Sequence, residues 1–242
     1  MRVNFGGFIP LSTVDWYGMA VCTVFLRGCP VRCSYCHNRA IQDGEDYRNT
    51  EEIIDMVRGA SLLVSGVVFS GGEPTMQREA LLELARRSRE LGLLVGLQTN
   101  GVYPETIQEL INNGLVDKIS LDIKARWERY DNLLKRRYAS SVKRSLGICR
   151  RALEEHEIRE FEVVVTLFAG YEDEVKYISR ETEGVNLVLQ QGVEGKIPPL
   201  TCEDLMRIAD GIGRYVKIRT RDRGEIGYQG DRSRGLSGKR QG

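Results

Sequence analysis

Short apolar runs alternate with amphipathic stretches along most of this chain. Residues 19–27, 66–70, 93–98, 118–124, 161–167 and 186–191 are rich in Val, Ile, Leu and Phe and have the length of buried strands. Between them, residues 50–59, 79–91, 105–113, 141–155 and 173–181 place apolar side chains at helical spacing. The punctuation agrees with that division. Thr50 reads as an N-cap with Glu51 and Glu52 in the first turn; Leu81, Leu82, Leu84 and Ala85 make an apolar face that stops at Gly92; Gly114 closes the next helix. A helix over 201–211, opened by Thr201 and Asp204 as a capping pair, and a strand over 216–220 would add one more unit, whose place in the sheet is open. Residues 5–18, with Gly6-Gly7, Pro10 and Gly18, read as an irregular lead-in. From Arg221 onward Gly, Arg and Ser dominate without an apolar period, and a mobile tail is expected.

Strands that alternate with helices of this length imply right-handed β-α-β units and a parallel sheet, an α/β fold. With 242 residues, 41% of them hydrophobic, the chain can bury one sizeable core. The expected organisation is one domain over 1–220 and a tail over 221–242. No stretch of ~18 apolar residues is present to span a membrane, and the start, Met1-Arg2-Val3-Asn4-Phe5-Gly6-Gly7, lacks the apolar core of a signal peptide. The expectation is a cytoplasmic protein. Net charge is +1, so no global field points to nucleic acid or membrane. Locally, residues 124–151 carry ten Lys or Arg against Glu128 and Asp131, an excess of +8. Such a run is either a solvated helix face or a surface for an acidic partner or RNA.

The candidate chemistry begins after the first apolar run. Cys29, Cys33 and Cys36 are spaced Cys-x3-Cys-x2-Cys in a loop that leaves a buried strand, where three thiolates can turn toward one metal. Zinc would need a fourth ligand, and His37, adjacent to Cys36, is badly placed to reach the same tetrahedral ion. Cys33-Ser34-Tyr35-Cys36-His37 also matches the c-type haem attachment pattern, which belongs to exported proteins. An iron–sulfur cluster held by three thiolates would leave one iron open for a ligand, since four-iron clusters normally take four cysteines. Cys22, Cys149 and Cys202 stand alone and read as small buried hydrophobes.

Three further segments sit at strand ends. Ser70-Gly71-Gly72-Glu73-Pro74 offers two glycines where backbone can approach a ligand. Gln98-Thr99-Asn100-Gly101 ends the third strand. Asp122-Ile123-Lys124 ends the fourth, and its two charged residues, two apart on a strand, face one side. Taken singly, the first is also a turn and the last a rim salt bridge.

In combination, the three cysteines followed by His37-Asn38 and then the Gly-Gly-Glu-Pro segment resemble the radical S-adenosylmethionine (radical SAM) superfamily. Within it the sequence is similar to activating enzymes of glycyl-radical enzymes, of the anaerobic ribonucleotide reductase and pyruvate formate-lyase activating type. The likeness runs from about Phe5 to about Gly195. It implies a partial (β/α)6 barrel with its chemistry at the C-terminal strand ends. It also implies a 4Fe-4S cluster on Cys29, Cys33 and Cys36, with S-adenosylmethionine (SAM) on the open iron. Gly72 and Glu73 would meet the methionine amino group; Tyr35 would pack beside cluster or adenine. Thr99, Asn100, Asp122 and Lys124 would complete the cofactor site, and His37 and Asn38 would support it from behind. Ser12-Thr13-Val14-Asp15-Trp16-Tyr17-Gly18 is similar to the activase lead-in, with Trp16-Tyr17 in place of Gly-Pro, which puts Asp15 near a bound glycine loop.

The activity so implied is reductive cleavage of SAM, with electrons from flavodoxin or ferredoxin, and abstraction of a glycine Cα hydrogen from a glycyl-radical enzyme. No acid–base residue is needed for the abstraction. Two departures stand out. Gln98 replaces an aspartate, which puts a monovalent-cation site in doubt; Val163 stands where relatives carry a SAM-contacting arginine, and Gln190 and Gln191 end the sixth strand. The alternative is a radical SAM enzyme acting on a small molecule or tRNA, although no basic domain for nucleic acid is appended.

Overall fold

The computed structural model describes residues 1–134, 137–193, 198–231 and 233. In chain order its elements are β1 (Arg2–Ser12), β2 (Val21–Leu26), β3 (Tyr47–Asn49), α1 (Thr50–Ala60), β4 (Gly66–Gly71), α2 (Arg78–Glu90), β5 (Leu94–Thr99), α3 (Pro104–Asn112), β6 (Lys118–Asp122), α4 (Trp127–Leu134), α5 (Ala139–Glu154), β7 (Glu160–Leu167), α6 (Glu172–Glu181), β8 (Asn186–Gln191), α7 (Cys202–Ile212), β9 (Tyr215–Thr220) and β10 (Gly224–Gln229). Short 3-10 turns follow the cysteine loop at Arg39–Ile41 and open α2 at Pro74–Gln77. The expected α/β alternation is present. Internal contacts divide the chain into two units, residues 1–121 with 134–161, and residues 122–133 with 162 onward.

In the first unit β2, β4, β5 and β6 run parallel, in that order, because each returns through a helix. Their apolar runs are largely buried: Val21, Val24 and Leu26, then Val67 to Phe69, then Val95 and Leu97, then Ile119 and Leu121. Ile53, Ile54 and Val57 of α1, Leu81 and Leu84 of α2, and Ile107 and Leu110 of α3 are buried as well, each side chain contributing about 1.5–3 kcal/mol relative to exposure. Asp117, just before β6, fastens the lower edge: its carboxylate accepts from Val95 N at 2.9 Å, Arg89 at 2.6 Å and Arg159 at 3.2 Å. The N-cap of α1 is Asn49, one residue before the expected Thr50, and Glu52 completes a capping box with it.

The lead-in is not irregular. β1 is an eleven-residue strand, antiparallel to β2 and, over Arg2–Asn4, to β3. Two features let it carry residues that argued against a strand. Gly6-Gly7 coincides with a register shift between Phe5 and Gly7, a bulge of the kind glycine permits, and a Cβ on Gly6 would stand 3.0 Å from Phe25 O. Pro10 lies beyond the reach of β3, on the edge side, where a missing N–H breaks no ladder.

In the second unit β7, β8 and β9 are parallel and β10 returns antiparallel to β9. The unit left open by the sequence therefore joins the sheet, with α7 opened by the Thr201–Asp204 capping box and closed by Gly213 in the left-handed region. Part of the stretch read as a tail from Arg221, Gly224–Gln229, is a strand instead. Residues 224–229 are a strand because Arg219 holds Glu162 at 3.3 Å and Glu225 at 2.6 Å across the sheet, and Ile226 lies opposite Ile218. Charge pairing replaces the apolar period there. Residues 232 and 234–242 of the expected tail lie outside the described residues. The short helix α4 follows Lys124 where the sequence reading had none.

Much of the basic run is paired. Lys124 meets Asp122 at 3.2 Å; Arg126 and Arg129 meet Glu174 at 3.2 and 2.6 Å; Arg144 meets Glu105, and Arg151 meets Glu155 at 3.6 Å. These contacts favour the solvated-face reading. Lys135 and Arg136 lie outside the described residues. Among the described residues no helix is long and apolar enough to cross a membrane.

Candidate functional site

The cysteine loop starts where β2 ends. Gly28, at φ +98, turns the chain, and its N–H and that of Cys29 donate to Ile41 O at 2.8 Å and Gln42 O at 3.1 Å, closing the loop at its base. Arg32 donates to Cys29 O at 2.6 Å and pairs with Asp43. Cys29, Cys33 and Cys36 are half-buried and free of disulfides. The three thiols share one loop, and among the described residues no group of three His, Cys, Asp or Glu side chains is gathered closely enough to hold a metal ion. Tyr35 is buried, Asn38 donates to Gly71 O at 2.8 Å, and His37 is exposed. Asn38 thus ties the cysteine loop to the end of β4, and His37 is on the surface.

The other three cysteines behave as packing. Cys22, Cys149 and Cys202 are buried on three different elements, and burial pushes the Cys22 thiol up to about 11 and raises that of Cys149. Neutral thiols are poor nucleophiles and poor metal ligands.

The Gly-Gly-Glu-Pro segment is pressed against the root of the cysteine loop. Gly72 N donates to Leu26 O and Glu73 N to Gly28 O, both at 2.8 Å. Only glycine fits at this crossing: a Cβ on Gly72 would lie 2.2 Å from Gly28 O and 2.6 Å from Gly28 C. Because the obstacle is backbone, Gly72→Ala should move the whole loop. The expected cost is about 1–3 kcal/mol in urea unfolding, with lowered iron uptake, whereas Gly59→Ala, which meets nothing within 4 Å, should leave both in place.

Glu73 has no solvent exposure. One carboxylate oxygen accepts from Thr75 N at 3.1 Å, from the Thr75 hydroxyl and from the Thr99 hydroxyl at 2.7 Å; the other accepts from Asn100 N at 2.7 Å. Burial pushes this carboxyl above its ordinary range, and the donors from Thr75, Asn100 and Thr99 pull it part of the way back. The residue therefore clasps two strand-end loops to the start of the Pro74–Gln77 turn. Thr75 is a site residue that the sequence reading passed over. No spacing in residues 73–75 or 98–101 marks this contact, so the sequence offered no signal for it.

Asp15 is tied to the same floor. Its carboxylate accepts from the Thr23 hydroxyl at 2.8 Å, and its carbonyl accepts from the Gln98 amide at 3.2 Å. Gln98 in turn accepts from the Ser70 hydroxyl at 2.7 Å, so its neutral amide bridges β4 and the lead-in where an aspartate was expected. Trp16 anchors this turn. It is 1% exposed, donates to Glu160 at 3.2 Å, and sits where a Cβ on Gly96 would come within 3.1 Å.

In the second unit Asp122 and Lys124 pair at 3.2 Å, with Lys124 the more buried of the two, so the same-side expectation holds. Val163 is fully buried, and Gln190 and Gln191 are partly so; Gln191 donates to Leu200 O at 2.7 Å.

A protein of Methanocaldococcus jannaschii that carries the provisional name of glycyl-radical enzyme activating enzyme is 38% identical over 136 residues, 56% of this chain and 56% of that protein. A protein of Pyrococcus horikoshii provisionally named GTP 3′,8-cyclase is 31% identical over 114 residues, 46% of this chain and 36% of that protein. The chain thus matches little more than half the length of the one and about a third of the other. Among solved structures, TYW1 with a lysine-pyruvate adduct bound has a TM-score of 0.66 at 16% identity, covering 91% of this chain and 84% of that one, a likeness of fold. The profile of the Radical SAM superfamily matches residues 23–177, from the middle of β2 into α6 and through both the cysteine loop and the Glu73 clasp, and this chain belongs to that superfamily.

Proposed function

We propose that this radical SAM enzyme is an activase that installs a glycyl radical on a partner enzyme, with anaerobic ribonucleotide reductase as the partner and flavodoxin or ferredoxin as the electron donor. The observation that carries the reading is the 38% identity over 136 residues to a protein of that provisional name, the higher and longer of the two sequence matches above. The lead-in that holds Asp15 supports it.

The superfamily uses a 4Fe-4S cluster and SAM. The residues here fit that pair in their chemistry. Three half-buried, unoxidised thiols share one loop, an amide donor is aimed at one of the sulfurs, and glycine backbone lies alongside. Cys29, Cys33 and Cys36 would hold the cluster, and Gly72 and Glu73 would meet the methionine end of SAM. When bound, this pair supplies one-electron reductive chemistry strong enough to take hydrogen from an unactivated C–H bond. The chain's own part is to position and to exclude water. Glu73 holds Thr99 and Asn100 beside the cysteine loop, Tyr35 is buried within that loop, and Asp15 would receive the glycine loop.

The test is anaerobic reconstitution followed by SAM turnover with and without an anaerobic ribonucleotide reductase. The expected result is slow turnover alone and a glycyl doublet in electron paramagnetic resonance on mixing. A second reading, action on a nucleotide or tRNA, is favoured by the match to a provisionally named GTP cyclase. GTP or tRNA that stimulates turnover and is itself changed, with no doublet from any glycyl-radical enzyme, would replace the activase reading.

A further inference from the structure

We propose that Asn100 is a positioning residue for the Cys29 sulfur, donating an N–H···S hydrogen bond that sets the reduction potential and the iron retention of a cluster held there. The Asn100 amide nitrogen lies 3.6 Å from Cys29 Sγ, across 71 positions of sequence. That contact is built from three directions. The backbone N–H of Asn100 is fixed to Glu73 at 2.7 Å. Its side-chain oxygen accepts from Val102 N at 3.1 Å, which settles which end of the amide faces the sulfur. The residue is 6% exposed, so water competes poorly for the donor. A turn that needed only an Asx oxygen would be satisfied by Asp; the sulfur contact needs the NH2 group.

Hydrogen bonds to cluster sulfurs are among the determinants of an iron–sulfur potential. A donor at a thiolate offsets the charge added on reduction, so it favours the reduced state and raises the potential. Outer hydrogen bonds of this kind also orient ligands, and their loss typically costs 10–100-fold in metal affinity.

The inference rests on the cysteines holding a cluster, and the experiment separates the two. Wild type, Asn100→Ala and Asn100→Asp are reconstituted, and each is read for iron content, for the midpoint potential by redox titration, and for the rate of iron loss to a chelator. Asn100→Asp keeps the oxygen for Val102 N and so guards against simple misfolding, which circular dichroism of the iron-free proteins also checks. Both variants should show a lower midpoint potential and iron loss faster by about 10-fold or more. Unmoved potential and unmoved iron loss in both would overturn the proposal. So would a shift in Asn100→Asp alone, which would report added charge rather than a lost donor. A wild type that takes up no iron would overturn the cysteine assignment and this proposal with it.

Discussion

Cys33→Ala protein, reconstituted anaerobically with iron and sulfide, should emerge with little iron and without the visible absorbance of a cluster, and Cys29→Ala and Cys36→Ala should do the same. Loss of an outer-shell contact alone typically lowers metal affinity 10–100-fold, so loss of a thiolate should lower it by more than about 100-fold. The matching controls come from the other three cysteines. Cys22 is in β2, Cys149 in α5 and Cys202 at the first position of α7, all buried; replacing each by Ala should cost about 1 kcal/mol of stability and leave iron content where it was. Full iron in Cys33→Ala, measured by metal analysis and absorbance, would sink the cluster assignment. Iron loss in Cys149→Ala without unfolding would sink the division of the six into two groups.

The core elements were legible because their signals are local. β4 is five buried residues in a row between a loop and a glycine, α7 announces itself by a capping box within four residues, and α1 by the two glutamates of its first turn. β1 and β10 were not legible, because what makes them strands is elsewhere in the chain. β1 keeps Gly6-Gly7 and Pro10 only because β2 accepts a bulge and β3 stops short. β10 is charged and glycine-rich, and its ladder is held by Arg219 between Glu162 and Glu225. The site divides the same way. Three cysteines within eight residues can be read by spacing, as can two glycines before a Glu-Pro. The clasp cannot, since Glu73 finds its donors at Thr75, Thr99 and Asn100, and nothing in the spacing of residues 98–101 says that one side chain there reaches Cys29. Gln98 was legible as a departure but not in its consequence, the bridge from Ser70 to Asp15.

Glu73→Ala should destabilise the iron-free protein by about 3 kcal/mol or more. The carboxylate is fully buried and takes two backbone N–H groups and two hydroxyls, and each buried donor left without a partner costs about 1–3 kcal/mol. The hydroxyls can rotate to other acceptors; the N–H groups of Thr75 and Asn100 cannot. Glu73→Gln should fall between, because its carbonyl oxygen can keep one set of donors while its NH2 group meets a donor at the other. Urea unfolding without iron or SAM reads this role by itself, since a residue that served only a bound cofactor would leave the empty protein as stable as wild type. That outcome would remove the clasp. If the clasp holds, the loss should also reach the cysteine loop, because Asn100 loses the anchor of its backbone, and iron retention in Glu73→Ala should fall in step with Asn100→Ala rather than independently of it. A double variant that lost iron no faster than the worse single variant would be the signature of one path from Glu73 through Asn100 to Cys29, and strictly additive losses would mean that the two residues act on the loop separately.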